Sequence, residues 1–455
     1  MITAVVYLPY ANALPYKLMG NYSACQYIHL PYGRGWKVLQ LPRQNFAGII
    51  EATGGRELRD VEQALENSLN NPIGAPALAK LIDQRQPRNA VIIVSDHTRR
   101  IPGYSLVLEA VMEKFADGGV DPKSITMLVA TGNHRPPNRQ ECFELYGERA
   151  CRGMKLAFHD SDRGCMSLRP ICSDGRPEIN RMLVNSDFVL ATGKITPHYL
   201  AGFSGGRKAV MPGCTSRSTI AANHSLVARG RNHPGRLRGN PIHRQMVQVA
   251  AMAGIDFLVN LVPTPGGGLA GVVSGHWDLA WRSGVRLCRR VWSAGIGRPA
   301  DCAIVSAGGY PHDINLYQMQ RLLNNLAGAV KPGGTILLVG ECREGVGQAE
   351  FGRWMAEKTV GQILATPEAL ITGEAHRAYA TAMVMKDHQV LLLSRMAKAQ
   401  ARRMKFWPVC TIREAVEIFK IRHGEGFRCY VAPRANALLL HTTKKAIKHS
   451  NQWRE

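Results

Sequence analysis

Six short runs rich in Val, Ile, Leu and Ala constrain the fold of this chain more than any other feature of its sequence. They lie at 91–95, 125–130, 187–193, 302–309, 335–340 and 389–394. Their apolar residues are continuous, which is typical of strands that are covered on both faces. Helical patterns lie between several of them, at 104–119, 315–330 and 352–364. Strands that alternate with helices predict an α/β fold with mainly parallel sheets.

The length of 455 residues exceeds what one hydrophobic core usually supports, so we expect two domains. We also expect the active site to lie in the cleft between them. A Pro- and Gly-rich stretch after the third run suggests where the chain passes from one domain to the other. In chain order we expect a poorly ordered extension at 1–27, an N-terminal α/β catalytic domain at 28–270, a linker at 271–284, a C-terminal α/β domain at 285–440 and a basic tail at 441–455.

The chain is strongly basic, with 57 Lys and Arg against 34 Asp and Glu and a net charge of +23. This charge favours an anionic partner, either a small phosphate or carboxylate or a nucleic acid. Aromatic residues make up only 7%, and no helix-turn-helix, RNA-recognition or zinc-finger signature accompanies the charge, so nucleic acid is the weaker alternative. No apolar stretch reaches the roughly 18 residues that predict a membrane span.

The 11 cysteines are scattered and contain no Cys-x-x-Cys pair. A disulfide framework or a thiolate zinc site needs closer spacing. The cysteine pattern therefore predicts a reduced, cytoplasmic compartment.

Ligand-binding loops of α/β sheets collect at the carboxyl ends of strands, and the first two runs end in chemically dense loops. Asp96 and Arg99 follow the first run and suggest an anion clamp, although Asp96 is also a candidate cap for the next helix. Thr131, Gly132 and His134 follow the second run. Glycine there allows close approach of a ligand, and His134 is placed as a general base or metal ligand, or as an ordinary loop residue.

The third loop is the most specific of the chain. Ser-Gly-Gly-Arg-Lys at 204–208 offers small residues, backbone amides and two cations, but it lacks the Ser or Thr that follows the lysine in a phosphate-binding P-loop. A lysine within Gly-rich backbone predicts a point charge or a covalent attachment site. His198 precedes this loop, and His224 follows it in a segment of helical character.

The fourth loop precedes a helical pattern that carries Tyr317, Gln318 and Arg321. Gln318 and Arg321 are three residues apart, so they share one helical face and together suit a carboxylate. Asp313 or Asn315 is expected to cap this helix if the loop is only structural.

The loops together contain three histidines and no acidic or thiolate cluster. Such a set suits a borderline metal such as Ni, Cu or Zn better than Mg or Ca. One metal ligand with two acid/base histidines on opposite sides of a substrate fits equally well.

Four motifs together resemble those of the nickel-dependent lactate racemase family, the 2-hydroxy acid racemases and epimerases that use a nickel-pincer nucleotide. The motifs are SDHTRR, ATGNHR, PHYLAGFSGGRK and PHDINLYQ. The resemblance spans roughly residues 28–440, and LPYGRGWKVLQLP is similar to the opening strand pair of the family.

The resemblance implies a covalently bound cofactor. Lys208 would carry the nickel-pincer nucleotide, pyridinium-3,5-bisthiocarboxylic acid mononucleotide, and His224 would bind its nickel. The cofactor supplies the remaining donors, which accounts for the missing ligand cluster. Further cofactor contacts are expected from Ser204, Gly205, Gly206, Thr131 and Gly132.

The resemblance also implies the reaction, inversion of C2 of a small 2-hydroxy acid by reversible hydride transfer to the cofactor. His134 and His198 would be the two acid/base groups, because each enantiomer presents its hydroxyl to a different side. Asp96 and Arg99 would complete the catalytic set. Substrate contacts are expected from Arg99, Tyr317, Gln318 and Arg321. The implied partners are the hydroxy acid and cofactor maturation enzymes.

Two departures from the family pattern concern substrate choice. Arg321 and His312 stand where lysine is found in lactate-type relatives, and Arg and Lys bind carboxylates differently. Lactate, larger or aromatic hydroxy acids, malate-like diacids and sugar acids all remain candidates. A hydroxy acid oxidoreductase on the same cofactor is the alternative reaction, but net oxidation needs only one base.

Overall fold

The structure is a computed structural model that describes residues 18–19, 24–171 and 175–442. The chain separates into two compact units. Unit 1 contains Gly54–His224 and Arg236–Val291. Unit 2 contains the described residues of Leu14–Thr53, Ser225–Gly235 and Trp292–Glu455.

Unit 1 is built on a six-stranded sheet in which one edge strand is antiparallel and the others are parallel. In spatial order its strands are Leu269–Gly275, Phe257–Pro263, Phe188–Lys194, Ala90–Ser95, Ile125–Ala130 and Lys155–Phe158. Two small antiparallel pairs complete its strands, Pro197–His198 with Gly202–Phe203 and Cys165–Ser167 with Glu178–Asn180.

Helices cover this sheet because their apolar residues recur three and four apart. In Tyr104–Asp117 the buried residues are Tyr104, Val107, Leu108, Val111, Met112 and Phe115. They pack with the apolar side chains of the sheet strands into one core. The α-helices of unit 1 are Val61–Asn70, Leu78–Arg85, Tyr104–Asp117, Arg139–Tyr146, Glu148–Gly153, Arg181–Val184, Arg217–Ser225, Pro241–Met252 and Trp277–Trp292.

Unit 2 has a second six-stranded sheet, in which all strands are parallel. In spatial order its strands are Trp407–Val409, Gln389–Leu393, Val330–Val339, Ala300–Ser306, Cys429–Ala432 and Phe46–Ile49. The remaining strands are Leu18–Met19, Cys25–Tyr32 and Gly35–Pro42, which are antiparallel, and the parallel pair Ser293–Ile296 and Leu439–Thr442.

Shorter helices cover the sheet of unit 2, and its core includes residues of the Cys25–Pro42 hairpin. Two predicted helical patterns are interrupted. The pattern at 315–330 divides into the helices Leu316–Met319 and Arg321–Leu326. The pattern at 352–364 breaks at Thr359, whose side chain and that of Gln362 form a capping box that starts a new helix. The α-helices of unit 2 are Leu316–Met319, Arg321–Leu326, Ala349–Glu357, Val360–Leu364, Ala375–Met385, Lys398–Arg403 and Ile412–His423.

The architecture confirms the predicted α/β class with mainly parallel sheets, and all six apolar runs form strands. The hairpin predicted at LPYGRGWKVLQLP is also present. No helix among the described residues is long and apolar enough to span a membrane.

The unit boundaries differ from the predicted domains in two places. Residues 28–53 were expected with the N-terminal domain, but they lie in unit 2 because Phe46–Ile49 pairs with Cys429–Ala432 at the edge of its sheet. Residues 271–284 were expected as a linker, but they form part of a strand and a helix of unit 1. The Pro- and Gly-rich stretch before them is the turn between two antiparallel strands.

The predicted terminal segments fall mostly outside the described residues. Within 1–27, Leu18–Met19 forms a strand that pairs with Tyr27 and Ile28. Of the tail predicted at 441–455, only its first two residues are described, and they end the strand Leu439–Thr442.

Candidate active site

Asp96 lies buried directly after the strand Ala90–Ser95, 2% exposed. Its Oδ1 accepts hydrogen bonds from the amide and the hydroxyl of Thr98, at 3.1 and 2.7 Å. Its Oδ2 accepts a hydrogen bond from Nδ1 of His134. Asp96 therefore does not cap the next helix, which begins at Tyr104; it fixes the orientation of an imidazole.

The charge of Asp96 follows from these contacts. Burial by itself raises the pKa of its carboxyl, but the hydrogen bond and charge of His134, together with the charge of Arg99, bring the pKa below its usual range. The carboxylate is therefore ionised at neutral pH and accepts a proton-bearing Nδ1. Nδ1 of His134 therefore carries a hydrogen, and its Nε2 lies on the side of the ring away from Asp96.

The turn that carries His134 depends on Gly132. This glycine has a φ of +53°, and a Cβ there would come 3.2 Å from the carbonyl oxygen of Pro212. Its amide donates to the carbonyl of Gly213 at 3.0 Å, and the amide of His134 donates to the carbonyl of Thr131 at 2.9 Å. Backbone geometry thus places the imidazole next to Asp96, and Arg99 lies in the same loop as Asp96.

His198 lies in the short strand pair that precedes the Gly-rich loop. Its Nδ1 accepts hydrogen bonds from the amides of Leu200 and Ala201, both at 3.2 Å. Its Nε2 lies 3.5 Å from Nζ of Lys208. Burial, followed by the charges of Lys208, Arg99 and His224, holds the pKa of His198 well below 6.5, so the ring is neutral at pH 7.

These interactions bring most of the predicted catalytic residues of unit 1 into one region. His198 contacts Lys208, and the charges of Arg99 and His224 are close enough to shift its pKa. Arg99 donates to the hydroxyl of Thr98 at 3.1 Å, and Thr98 in turn binds the carboxylate that holds His134. His224 lies near the end of the helix Arg217–Ser225, as the sequence predicted.

The Gly-rich loop differs from the anion-binding loop that the sequence suggested, because three of its five amides are engaged within the protein. The amides of Ser204, Gly206 and Lys208 donate to Thr196, Asn260 and Gly205 respectively. The hydroxyl of Ser204 is also engaged, with the backbone of Thr196 and Lys194. The loop therefore serves to hold Lys208 in a fixed place.

Gly205 and Gly206 are required by this loop conformation. Their φ angles are +70° and +54°, in the left-handed region. A Cβ on Gly205 would lie 2.6 Å from Oδ1 of Asn260, and one on Gly206 would lie 2.6 Å from Cγ of Trp281. Asn260 and Trp281 thus pack directly against the backbone of the loop.

Arg207, which the sequence suggested as a second cation for a ligand, is fully buried. It donates to the carbonyls of Ala201 and Gly205 at 2.7 and 3.3 Å and to Nδ1 of His243 at 3.2 Å. Its guanidinium carbon lies 4.0 Å from the ring centroid of Trp281. Arg207 is therefore part of the support of the loop and does not face a ligand.

Sequence reasoning also missed residues that hold the Asp96 loop. The hydroxyl of Tyr104 accepts a hydrogen bond from the amide of Ser95 at 2.8 Å. The hydroxyl of Tyr146 donates a hydrogen bond to the carbonyl of Ser95, also at 2.8 Å. Burial raises the pKa of Tyr104 to about 12. Both tyrosines fit the helical periodicity of a core face, so the sequence gives no signal of this second role.

The three residues expected to contact substrate from the C-terminal domain lie in unit 2. Asn315 caps the helix Leu316–Met319, which carries Tyr317 and Gln318, since its Oδ1 accepts a hydrogen bond from the amide of Gln318 at 3.0 Å. The hydroxyl of Tyr317 donates to Glu374, and Arg321 donates to Asn436 at 3.4 Å. Their contact with the substrate stays a prediction.

Comparison with known proteins identifies the family. Sequence models of the lactate racemase N-terminal and C-terminal domains match residues 32–235 and 297–439. A lactate racemase from Thermoanaerobacterium thermosaccharolyticum is 31% identical over 406 residues, which cover 86% of this chain and 93% of that protein. The chain belongs to the lactate racemase family. It is accordingly an enzyme of the isomerase class, a racemase.

Further relatives agree with this assignment. The lactate racemase of Lactiplantibacillus plantarum is 31% identical and covers 89% of this chain and 97% of its own. The solved structure of the lactate racemase apoprotein from T. thermosaccharolyticum has a TM-score of 0.84 at 29% identity, over 91% of this chain and all of that one. A Thermotoga maritima protein of solved structure, 17% identical with a TM-score of 0.63 over 84% of this chain and 98% of its own, shares the fold.

Proposed function

We propose that this protein is a racemase or epimerase that inverts C2 of a small 2-hydroxy acid, lactate or a relative of lactate, with a nickel-pincer nucleotide attached to Lys208. The observation that carries the proposal is the contact of Lys208 with His198 in the unit that also holds the His134–Asp96 pair. One amine, two imidazoles and one exposed guanidinium are the groups that this chemistry requires.

The residues of unit 1 fit such a cofactor. Lys208 is only partly buried, and the backbone of its loop is fixed by contacts below it, so the amine is held in place for attachment. Among the described residues, no group of three His, Cys, Asp or Glu side chains could hold a metal ion. A metal centre here therefore suits a cofactor that brings most of its own donors and takes one imidazole, from His224, from the protein. When bound, the group would accept a hydride from C2 and return it.

The two imidazoles would handle the hydroxyl proton. His134 would accept this proton at Nε2, because its Nδ1 is held by the ionised Asp96. His198 would act on the other side of the substrate, where the opposite enantiomer presents its hydroxyl. Arg99 would bind the carboxylate group, and Asp96 would keep the His134 ring in its tautomer.

Substrate choice is proposed to depend on unit 2. The candidate substrate contacts are Tyr317, Gln318 and Arg321. Arg321 presents a planar guanidinium group in place of the ammonium of the lysine in lactate-type relatives. His312, the other departure, is half-buried. A bidentate arginine suits a second carboxylate as well as a single one, so diacids belong in the substrate panel beside lactate.

The remaining parts of the proposal concern setting and partners. The ten described cysteines are free, which agrees with a cytoplasmic location. Maturation enzymes are needed as partners, because the proposed cofactor has to be made before it is attached. Nucleic acid is not proposed as a partner.

Retention of an isotope at C2 tests the proposed reaction. Protein produced with the maturation enzymes and nickel is incubated with L-lactate that carries deuterium at C2, and the products are separated on a chiral column. We expect D-lactate that keeps its deuterium, since a hydride leaves and returns. Loss of deuterium to solvent would contradict hydride return, and accumulation of 2-oxo acid would favour the oxidoreductase. Malate, tartrate and mandelate are run as parallel substrates.

A further inference from the structure

Arg207 is a buried cation without a carboxylate partner. Its exposure is zero, and among the described residues no ion pair joins its guanidinium to an Asp or Glu; the charge of Asp278, which pairs with Arg282, acts on it only from beyond ion-pair distance. A buried charge without an ion pair is costly to a fold. An apolar side chain of similar size could fill the same space without this cost. The polar contacts of Arg207 therefore indicate a role beyond packing.

Two hydrogen bonds of Arg207 hold the segment between His198 and Lys208. Nη2 donates to the carbonyl of Ala201 and Nη1 to the carbonyl of Gly205. Nε donates to His243, and the ring of Trp281 covers the guanidinium. The planar guanidinium group therefore holds both ends of the 201–205 segment. His243 and Trp281 fix the position of the guanidinium itself.

This segment determines which ring nitrogen of His198 carries the hydrogen. The amides of Leu200 and Ala201 both donate to Nδ1, so Nδ1 presents its lone pair. The hydrogen of the neutral ring then lies on Nε2, because two amide donors at 3.2 Å outweigh the single ammonium of Lys208 at 3.5 Å, which competes for a lone pair on Nε2. His134 has the opposite arrangement, because its Nδ1 donates to the carboxylate of Asp96.

We infer that Arg207 is a positioning residue that fixes the tautomer of His198 by holding Ala201, so that the two active-site histidines start from opposite states. His198 presents an Nε2–H donor, whereas His134 presents an Nε2 acceptor. The catalytic meaning of this difference rests on the proposed function. The enantiomer whose hydroxyl faces His134 gives its proton to that ring, while His198 donates a hydrogen bond to an oxygen on its own side.

Exchange of these roles requires movement of the 199–201 turn. His198 can accept a proton at Nε2 only if its ring hydrogen moves to Nδ1, where it would meet the two amide hydrogens of Leu200 and Ala201. Those amides have to turn away first. The hold of Arg207 on the Ala201 carbonyl therefore controls how readily the two histidines exchange roles.

Nitrogen-15 NMR of the full chain without cofactor tests the inference directly. The protein is labelled in its histidine rings, and the His134 and His198 signals are assigned with His134→Gln and His198→Gln. We expect Nδ1 of His198 at the shift of an unprotonated ring nitrogen and Nε2 at that of a protonated one, with the reverse for His134. A hydrogen on Nδ1 of His198 overturns the inference.

Arg207→Met tests the positioning role. In a folded variant, shown by circular dichroism and by unchanged His134 signals, we expect His198 to populate both tautomers. Arg207→Lys keeps the cation and is expected to restore the Nε2–H form in part. Arg139→Met, which removes an arginine stacked on Phe143 in the same unit, is the matched control and should leave His198 unchanged.

Two results separate this inference from the proposed function. A folded Arg207→Met protein with a single Nε2–H tautomer overturns the role of Arg207, whatever the activity. If Arg207→Met does not fold, the wild-type tautomer and the Arg207→Lys spectrum decide. Absence of racemisation by the loaded wild-type enzyme, with the expected NMR pattern intact, instead contradicts the proposed function.

Discussion

Nζ of Lys208 lies 3.5 Å from Nε2 of His198. The contact joins the Gly-rich loop to the strand pair that carries the imidazole. The charge of Lys208 is, after burial, the main cause that lowers the pKa of His198. A modification that removes this charge would therefore change the electrostatic environment of the imidazole as well as bind the cofactor.

The two histidines are expected to be essential and separable from metal binding. His134→Ala and His198→Ala should each lower racemisation by at least about 100-fold, the usual contribution of an acid/base group. Nickel content of the loaded protein should stay at the wild-type level, because His224 is the proposed ligand. Chiral chromatography and metal analysis measure the two quantities on the same preparation.

His29→Ala, on the hairpin of unit 2, is the control for loss of an imidazole. It should change neither quantity. Loss of nickel from either active-site variant would show that a metal ligand had been taken for a base.

The glycine at 206 is expected to matter for stability. In Gly206→Ala the new Cβ would have to adopt a φ of +54° at 2.6 Å from Trp281. The left-handed backbone costs about 1–2 kcal/mol, and overpacking adds about 1–3 kcal/mol. Urea denaturation should therefore show a loss of about 2–5 kcal/mol in the free energy of unfolding.

Gly254→Ala is the matched control, since Gly254 has a φ of +68° and nothing within 4 Å of its Cβ position. It should show only the backbone cost of about 1–2 kcal/mol. Equal losses in the two variants would mean that Trp281 does not confine the loop.

His243 predicts a pH dependence of stability. Burial, followed by the charges of Arg207 and Arg282, lowers the pKa of His243 from 6.5 to about 3. Below pH 6.5 the unfolded chain binds a proton that the folded chain does not, so stability is lost as the pH falls. At pH 5 the contribution of His243 to this loss is about 2 kcal/mol, from about 1.4 kcal/mol per pH unit.

His243→Asn keeps an acceptor for Arg207 and removes the titration. Between pH 7.5 and pH 5 the variant should lose about 2 kcal/mol less stability than the wild type. Parallel curves for the two proteins would show that His243 is not held neutral in the fold.

The strands and the loops at their carboxyl ends could be predicted from the sequence, because continuous apolar runs and the residues that follow them are local features. Asp96, His134, His198 and Lys208 were placed in such loops, and their catalytic roles, which came from the family resemblance, stay predictions. The pairing of Phe46–Ile49 with Cys429–Ala432 was not found, since partners far apart in the chain leave no local pattern. The boundary of the N-terminal domain was misplaced for that reason.

The difference between Arg207 and Lys208 was also beyond the sequence. The two cations are neighbours in one Gly-rich loop and look alike as ligand contacts. Only the packing of Trp281 and His243, which come from distant helices, shows that Arg207 is buried while Lys208 is partly exposed. The break at Thr359 was missed: residues 352–364 were predicted as one helical pattern, but Thr359 and Gln362 form a capping box that starts a new helix.

The mass of the peptide that contains Lys208 tests the central claim most directly. The full chain is produced with the cofactor's maturation enzymes and nickel, digested, and compared with protein made without those enzymes and with Lys208→Arg. The account predicts added mass on Lys208 in the first preparation alone, together with racemisation activity in that preparation alone. Racemisation by protein whose Lys208 is unmodified would contradict it.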